Sequence, residues 1–412
     1  MSKVVKIILL LTFLATGTLS AGWQLQNSGT SNDFYSIVAD HSDVRNRVWA
    51  CGDNGIIVFT SNAGATWTQQ NSGTTNKLYS IAWLEVQGAP LIAVGENGLI
   101  LRTTNDGQTW NVVPCPVTST LRYIADNGTM ICGDNGVILK STNNGATWVQ
   151  KNSGVTAKLN VISDAFLVVA AGDGGVVVRS NAIGDVWTQI NPGVTSNFYA
   201  LPMFHAPLLL MGENGLIRKS SDFGSNWFTI PAPTNRTIRS YQYSQNNNDK
   251  VYAVCDDGVI MKSTNQGNTW GFQVSGTTQN LHKCFFYLAD WEGWACGEGG
   301  VILKTTDGGG QIFPTEITNT STEIPDEFEL KQNYPNPFNP STNFEFRIAD
   351  FGFASLKIFD VSGKETASLL NEFLQPGSYS INWNAIGLSS GIYFYTLSAG
   401  SFKETKRMML VK

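Results

Sequence analysis

A short motif, G-[DE]-[NG]-G followed by an apolar residue, returns along this chain at nearly fixed intervals. It reads Gly52-Asp53-Asn54-Gly55, Gly95-Glu96-Asn97-Gly98, Gly133-Asp134-Asn135-Gly136, Gly172-Asp173-Gly174-Gly175, Gly212-Glu213-Asn214-Gly215, Cys255-Asp256-Asp257-Gly258 and Gly297-Glu298-Gly299-Gly300. The intervals are 43, 38, 39, 40, 43 and 42 residues. That period is the length of a four-stranded blade, and it excludes most single-core folds. Composition agrees. In 412 residues there are 41 glycines and 12 tryptophans, with only 14% charged residues, so short strands and tight turns are favoured over long helices. The length allows two or three domains. A net charge of −5 argues against a nucleic-acid partner, which would need a basic footprint.

A second turn follows each motif. It begins as Thr60-x-Asn62-x-Gly64-x-x-Trp67 and recurs with Thr103, Asn105, Gly107 and Trp110, and so on to Ser263, Asn265, Gly267 and Trp270. The seventh copy, Thr305, Asp307 and Gly309, has Ile312 in the tryptophan slot. Hydroxyl and amide side chains can bond the turn backbone, glycine permits positive φ, and tryptophan pins the turn to its sheet. The missing tryptophan is supplied from elsewhere: Trp23–Thr30 matches Trp67–Thr74. The N-terminal strand is therefore expected to be the outer strand of the last blade, closing a seven-bladed ring. An open solenoid would leave both ends needing caps. Over about residues 22–312 the pattern resembles the Asp-box turns of sialidase-like and photosystem II assembly factor-like β-propellers. Only Asp222 and Asp307 supply a true Asp. The resemblance implies that the boxes are structural.

The motifs place a carboxylate in every blade: Asp53, Glu96, Asp134, Asp173, Glu213, Asp256 and Glu298. Six blades place a base just before the second turn: Arg102, Lys140, Arg179, Lys219, Lys262 and Lys304, with Phe59 the exception. At ~3.3 Å per residue the two positions lie roughly 20 Å apart on one strand. This predicts an acidic ring on one face and a basic ring on the other. The acidic ring is the candidate binding surface, although turn propensity and solvation of a sheet end are the stronger account of both rings.

The N-terminus carries Lys3 and Lys6, an apolar core at Ile7–Leu14 and the small-residue end Leu19-Ser20-Ala21, the pattern of a signal peptide cleaved after Ala21. No cysteine follows that site, so a lipid anchor is not expected. An exported chain with six cysteines permits disulfides. Cys51, Cys132 and Cys296 share a repeat position with Val94, Ala171 and Met211, which marks a packing slot. A hairpin near Asp290 leaves a Cys284–Cys296 bridge open.

Residues 313–328 lack periodicity and are expected to be an exposed linker. Beyond them comes Gln332-Asn333-Tyr334-Pro335-Asn336-Pro337-Phe338-Asn339-Pro340, expected to turn around two buried aromatics, and then strands at Asn343–Ile348, Ser355–Asp360, Ser378–Asn382, Gly391–Ser398 and Lys403–Val411. About 80 residues of this kind make a small β-sandwich. The run, with Leu388–Tyr393 around Gly391 and the basic end Lys406-Arg407…Lys412, resembles the type A C-terminal sorting domain of the type IX secretion system over residues 329–412. The resemblance implies passage across the outer membrane by that machinery, removal of the domain near the linker, and then attachment to the cell surface or release.

The domain plan is therefore a signal peptide (1–21), an all-β seven-bladed propeller (22–312), a linker (313–328) and an immunoglobulin-like sandwich (329–412). His41, His205 and His282 fall at unmatched repeat positions, and no nucleophile elbow, zinc-protease motif, phosphate loop, metal spacing or cofactor motif is present. A sialidase would need an arginine triad that is not visible. The expectation is a monomeric, non-catalytic binding or scaffold module without a cofactor or transmembrane segment, with an extracellular glycan or protein as its partner besides the secretion machinery. A polysaccharide hydrolase or lyase is the alternative. An assembly-factor role rests on fold analogy alone.

Overall fold

The computed structural model describes residues 22–411 apart from 41–45, 85–89, 165–167, 181–183, 202–207, 245–248, 287–290, 311–312, 315–316, 322–324, 351, 375 and 386–387. The signal-peptide segment with Ala21, and His41, His205, Asp290, Ile312 and Lys412, lie outside these residues.

Each period folds into one antiparallel four-stranded sheet. Blade one is Phe34–Ala39, Val48–Gly52, Ile57–Thr60 and Thr68–Gln70. Blade seven takes Leu281–Phe286, Gly293–Gly297 and Ile302–Thr305 from the end of the propeller and Gln24–Gln26 from its beginning, with Gln24 opposite Lys304 and Gln26 opposite Ile302. Adjacent blades share an apolar cluster. The cluster between blades seven and one holds Phe285, Trp294 and Cys296 against Phe34, Ile37 and Ala50, so the ring is closed. A sheet with apolar residues on both faces is stable only between two neighbours, and the ring gives every blade both.

The first motif is an inter-strand turn with two successive residues in the left-handed region, Asn54 at φ 55° and Gly55 at φ 67°. Asn tolerates that region and Gly prefers it, which accounts for the N-G and G-G spelling. The second turn is a hydrogen-bonded knot. Thr60 Oγ1 donates to Asn62 Oδ1 at 2.9 Å and accepts from Gly64 N at 3.0 Å, while Asn62 Oδ1 also accepts from Thr66 N at 2.9 Å. In the fifth copy the acceptor is Asp222, bonded by Asn226 N at 2.8 Å, Asn226 Nδ2 at 2.6 Å and Ser220 Oγ. These bonds, the Asn226 backbone first, hold its carboxyl at about 2. A carboxyl depressed by folding contributes stability that is complete above the ordinary carboxylate range and fades as pH falls toward that value. Melting curves from pH 5 to pH 2 are expected to show the native chain losing this increment and Asp222→Asn lacking it. Identical pH slopes for the two would refute the assignment.

The six basic residues tie each blade to the next. Lys304 Nζ donates to Ala63 O at 2.9 Å, Arg102 Nε to Asn144 O at 3.0 Å, Arg179 Nη1 to Phe223 O at 2.8 Å, Lys219 Nζ to Gln266 O at 3.2 Å and Lys262 Nζ to Gly308 O at 2.9 Å. Lys140 pairs with Asp185 at 3.2 Å. The accepting carbonyls belong to left-handed residues of the neighbouring knot, such as Ala63 at φ 55° and Phe223 at φ 58°. Where Phe59 replaces the base, the equivalent carbonyl of Asp106 takes Gln70 Nε2 at 2.7 Å and Trp49 Nε1 at 3.3 Å. The basic ring is an inter-blade fastening.

All six cysteines are thiols. Lys283 faces Cys296 and Cys284 faces Ala295, so Cys284 and Cys296 point to opposite sides of their sheet and form no bridge. Cys51, Cys132 and Cys296 aim at the first carbonyls of the adjoining blades, Leu78, Leu159 and Phe34, at 3.6, 3.5 and 3.9 Å. Burial pushes their thiols up, as expected of packing groups.

The segment read as a featureless linker contains two strands. Phe313–Pro314 adds to the outer edge of blade six beside Gly271 and Phe272, and Ile317–Ser321 pairs with Ser378–Ile381 of the C-terminal sandwich. That sandwich stacks one sheet containing Ser341–Ile348 and Gly377–Asn384 on another of Gly352–Phe359, Glu365–Leu374, Gly391–Ala399 and Phe402–Leu410. Glu365–Leu374 is a strand that the sequence pattern did not announce.

Candidate functional site

In every blade the innermost strand pairs with the second strand through a register that skips one residue. The skips fall at Tyr35, Tyr79, Arg122, Asn160, Tyr199, Arg239 and His282. A β-bulge leaves its extra residue unpaired and re-aims its side chain. Seven bulges at one level of a ring aim seven side chains at the central channel, and all seven line a cavity of about 300 Å³ at its mouth.

Five of the motif carboxylates bond a side chain of this ring and a sixth, Glu298, stands beside one. Asp134 accepts from Arg122 Nε and Nη2 at 2.8 and 2.9 Å, and Asp256 accepts from Arg239 Nε and Nη2 at 2.8 and 2.9 Å. Asn160 Nδ2 donates to Asp173 Oδ1 at 2.8 Å, Tyr199 OH to Glu213 Oε1 at 3.1 Å, and Tyr35 OH to Asp53 Oδ1 at 3.1 Å. Glu298 lies 3.7 Å from His282 Nε2 and accepts from Asn280 at 3.0 Å, and Glu96 accepts from the backbone N of Lys77 at 3.1 Å. None of the seven carboxylates lines the cavity, whereas Tyr35, Arg122, Asn160, Tyr199, Arg239 and His282, which six of them adjoin, do. Bidentate pairing fixes both position and plane of a guanidinium.

Ring contacts complete the level. Arg122 lies over Tyr79 at 4.5 Å and Arg239 over Tyr199 at 5.0 Å, while Tyr35 meets Tyr79 at 5.3 Å and His282 at 5.2 Å. Burial works against the charge on both arginines, but Asp134 and Asp256 outweigh it and strengthen it. Burial, then Arg239, lowers the His282 imidazole, which favours its neutral form. Burial and Asp53 push the Tyr35 phenol up to about 12.

Deeper in the channel, Lys283 of blade seven reaches Tyr123 of blade three and bonds its hydroxyl, with Asp126 at 3.7 Å. Burial opposes the ammonium charge, and Asp126 and Tyr123 overcome it.

Sequence reasoning does not single out the skipped residues, and His282, placed there at an unmatched repeat position, takes the same bulge as the other six. Their signal was a column: each directly follows the first apolar residue of its blade, Phe34, Leu78, Leu121, Leu159, Phe198, Ile238 or Leu281, in a stretch otherwise alike between repeats. A larger cleft of about 730 Å³ lies between the outer edge of blade six and the C-terminal sandwich, beside Val274, Phe353 and Leu369. No repeated level of oriented side chains converges on it.

The second candidate site is the Gln332–Pro340 run. Asn333 is buried, and its Nδ2 donates to Thr342 Oγ1 at 2.9 Å and Pro335 O at 3.1 Å, while its N donates to Tyr395 OH at 2.8 Å. Asn336 Oδ1 accepts from Met409 N at 2.9 Å, Gln332 Nε2 donates to Arg407 O at 2.9 Å, and Phe338 exchanges backbone bonds with Met409 and Val411. The run is thus stitched to the last strand, where Lys406 pairs with Glu404 at 3.1 Å, and Leu410 of that strand faces Gly391. Of the two aromatics only Phe338 is buried, at 2% exposure. Tyr334 is 81% exposed, because its backbone pairs with Asn343 at a sheet end and turns the ring outward. Residues 332–412 match the family model of the secretion system C-terminal sorting domain. The sorting domain marks the chain for export by the type IX secretion machinery to the cell surface or the extracellular space. No helix among the described residues is long and apolar enough to cross a membrane.

For the remainder, the fold has relatives among solved structures. YCF48 from Cyanidioschyzon merolae is 18% identical, covering 69% of this chain and 99% of that one with a TM-score of 0.57. A structure described as YCF48 bound to D1 peptide is 19% identical, covering 71% and 99% with a TM-score of 0.58. At that identity the likeness shows a shared β-propeller fold. No curated protein matches the chain.

Proposed function

We propose that the propeller is a non-catalytic binding module, displayed at the cell surface or released by the sorting domain, that takes an extracellular ligand at the mouth of its central channel. The observation that carries this reading is the bulge in every blade. A uniform scaffold turns one side chain per blade inward, and that column differs between blades where the scaffold does not. Three tyrosines, two arginines, an asparagine and a histidine in a cavity of about 300 Å³ fit the usual make-up of a binding pocket. A glycoside hydrolase would face its ligand with two carboxyl groups. Among the described lining residues there is none.

The test uses the full chain and its Tyr199→Ala and Asn160→Ala variants on glycan and peptide arrays, with a turnover screen on every glycan that binds. Ligands are expected to be captured without turnover and to be lost, at least tenfold, in the ring variants. Turnover would replace this reading with the hydrolase or lyase. Capture unaffected by both variants would move the site off the channel.

A further inference from the structure

We infer that the channel mouth receives the carboxylate of an acidic saccharide, a uronic-acid unit of a polysaccharide. The inference rests on the reading of the mouth as the binding site and adds the chemical class of its ligand.

The cavity wall is electrically one-sided. Arg122, Lys158, Arg239 and Lys283 all line it, and no carboxylate does among the described residues. The whole chain carries a net −5 and each of these cations has a carboxylate partner, so what distinguishes the wall is which sign faces the cavity. The carboxylates that compensate these cations sit on their far side. Asp134 and Asp256 engage the Nε and Nη2 edge of each guanidinium and leave the Nη1 edge outside that bond. Asp173 holds Lys158 from behind at 3.1 Å. A cation buttressed from behind is fixed in place before an anion arrives, so little side-chain entropy remains to be lost on binding. At the floor, the ammonium of Lys283 stands across the channel on Tyr123 and adds a second cationic level.

The remainder of the wall favours a sugar. Tyr79, Tyr199 and Asn160 place polar groups around the cations, the Tyr199 oxygen keeping its acceptor lone pairs after donating to Glu213, while Ser36 and Ser240 are buried and accept from Ile81 N and Cys284 N of the next blades. Only Val161, Ala200 and Leu201 are apolar. A polyhydroxylated ring pairs with such a wall, whereas the side chains of a peptide end would find little to bury them.

Calorimetry on the full chain tests this with oligomers of galacturonate, glucuronate and mannuronate, each beside its methyl ester. A matched pair of peptides ending in carboxylate or amide serves as a further arm. At least one uronate oligomer is expected to bind saturably. Esterification, Arg122→Met, and the paired change Arg239→Met with Asp256→Asn are each expected to weaken it about tenfold or more, the scale of one charge-assisted hydrogen bond. The paired change avoids stranding Asp256, and an unchanged melting temperature confirms folding. Equal binding of acid and ester, with loss in Tyr199→Ala, overturns the carboxylate and leaves the mouth as the site. Failure of all three uronates, or binding of the carboxylate peptide alone, overturns the acidic saccharide. If ligands captured on the arrays also ignore every ring variant, the binding site itself is misplaced.

Discussion

Replacing Gly300 by alanine is expected to destabilise the propeller by about 3 kcal/mol or more, measured by urea unfolding of the full-length chain. Two effects combine. Gly300 has φ of 76°, a left-handed conformation that is unfavourable for a residue with a β-carbon. A β-carbon there would also stand 2.0 Å from the carbonyl oxygen of Thr30, while Ser28 Oγ donates to the Gly300 carbonyl at 2.7 Å. The clash falls on backbone, so relief requires moving the N-terminal segment that closes the ring. The other blades repeat the approach, with Gly55 at 2.1 Å from Thr74 O and Gly136 at 2.0 Å from Val155 O. Gly154 supplies the control. It has φ of 75° and nothing within 4 Å of the added atom, so its alanine variant meets only the conformational cost, about 1 kcal/mol. Equal losses at the two positions would show that the close approach contributes nothing.

The second large effect belongs to Trp23. Trp23→Ala is expected to cost about 3–5 kcal/mol, the usual toll for removing a buried indole. Its side chain is 8% exposed, meets Phe286 edge-on at 5.7 Å and donates from Nε1 to Gln273 Oε1 at 3.2 Å. It stands in the apolar cluster between blades six and seven beside Tyr252 and Leu303. Hydrogen exchange localises the consequence. Protection is expected to fall first in Ile302–Thr305, whose outer neighbour is the Trp23 strand, and to persist longest in blades three and four. Uniform loss across the ring would mean that Trp23 serves general stability and has no special part in closure.

The blades were legible because each repeat spells its two turns with residues that have narrow conformational reasons to be there. Asn54 and Gly55 occupy left-handed positions, and Thr60 and Asn62 knot the second turn. Closure was legible because Trp23–Thr30 copies a strand without its turn. The channel ring was not. A register skip of one residue changes which way Arg122 or Tyr199 points without changing the apolar alternation around it. The roles of the charged columns were hidden for a similar reason. Lys304 is explained by a carbonyl at Ala63 and Asp134 by the guanidinium of Arg122, and such partnerships exist only once the ring has formed. In the linker, Ile317–Ser321 is a strand because the sorting domain offers it an edge, and its own composition says nothing of that. Tyr334 was judged by residue type, and its exposure was decided by the backbone pairing of its neighbours.

The strand that shuts the ring precedes, by almost the whole propeller, the strand it must join. Gln24–Gln26 stays without a partner until Ile302–Lys304 exists, some 280 residues of synthesis and transport later. A sticky waiting strand would recruit wrong neighbours in the interval. This one is Gln-Leu-Gln, short and half polar, with a single tryptophan beside it as its address label. A chain interrupted before Ile302 therefore carries its own mark of incompleteness: an N-terminal strand with no sheet to join.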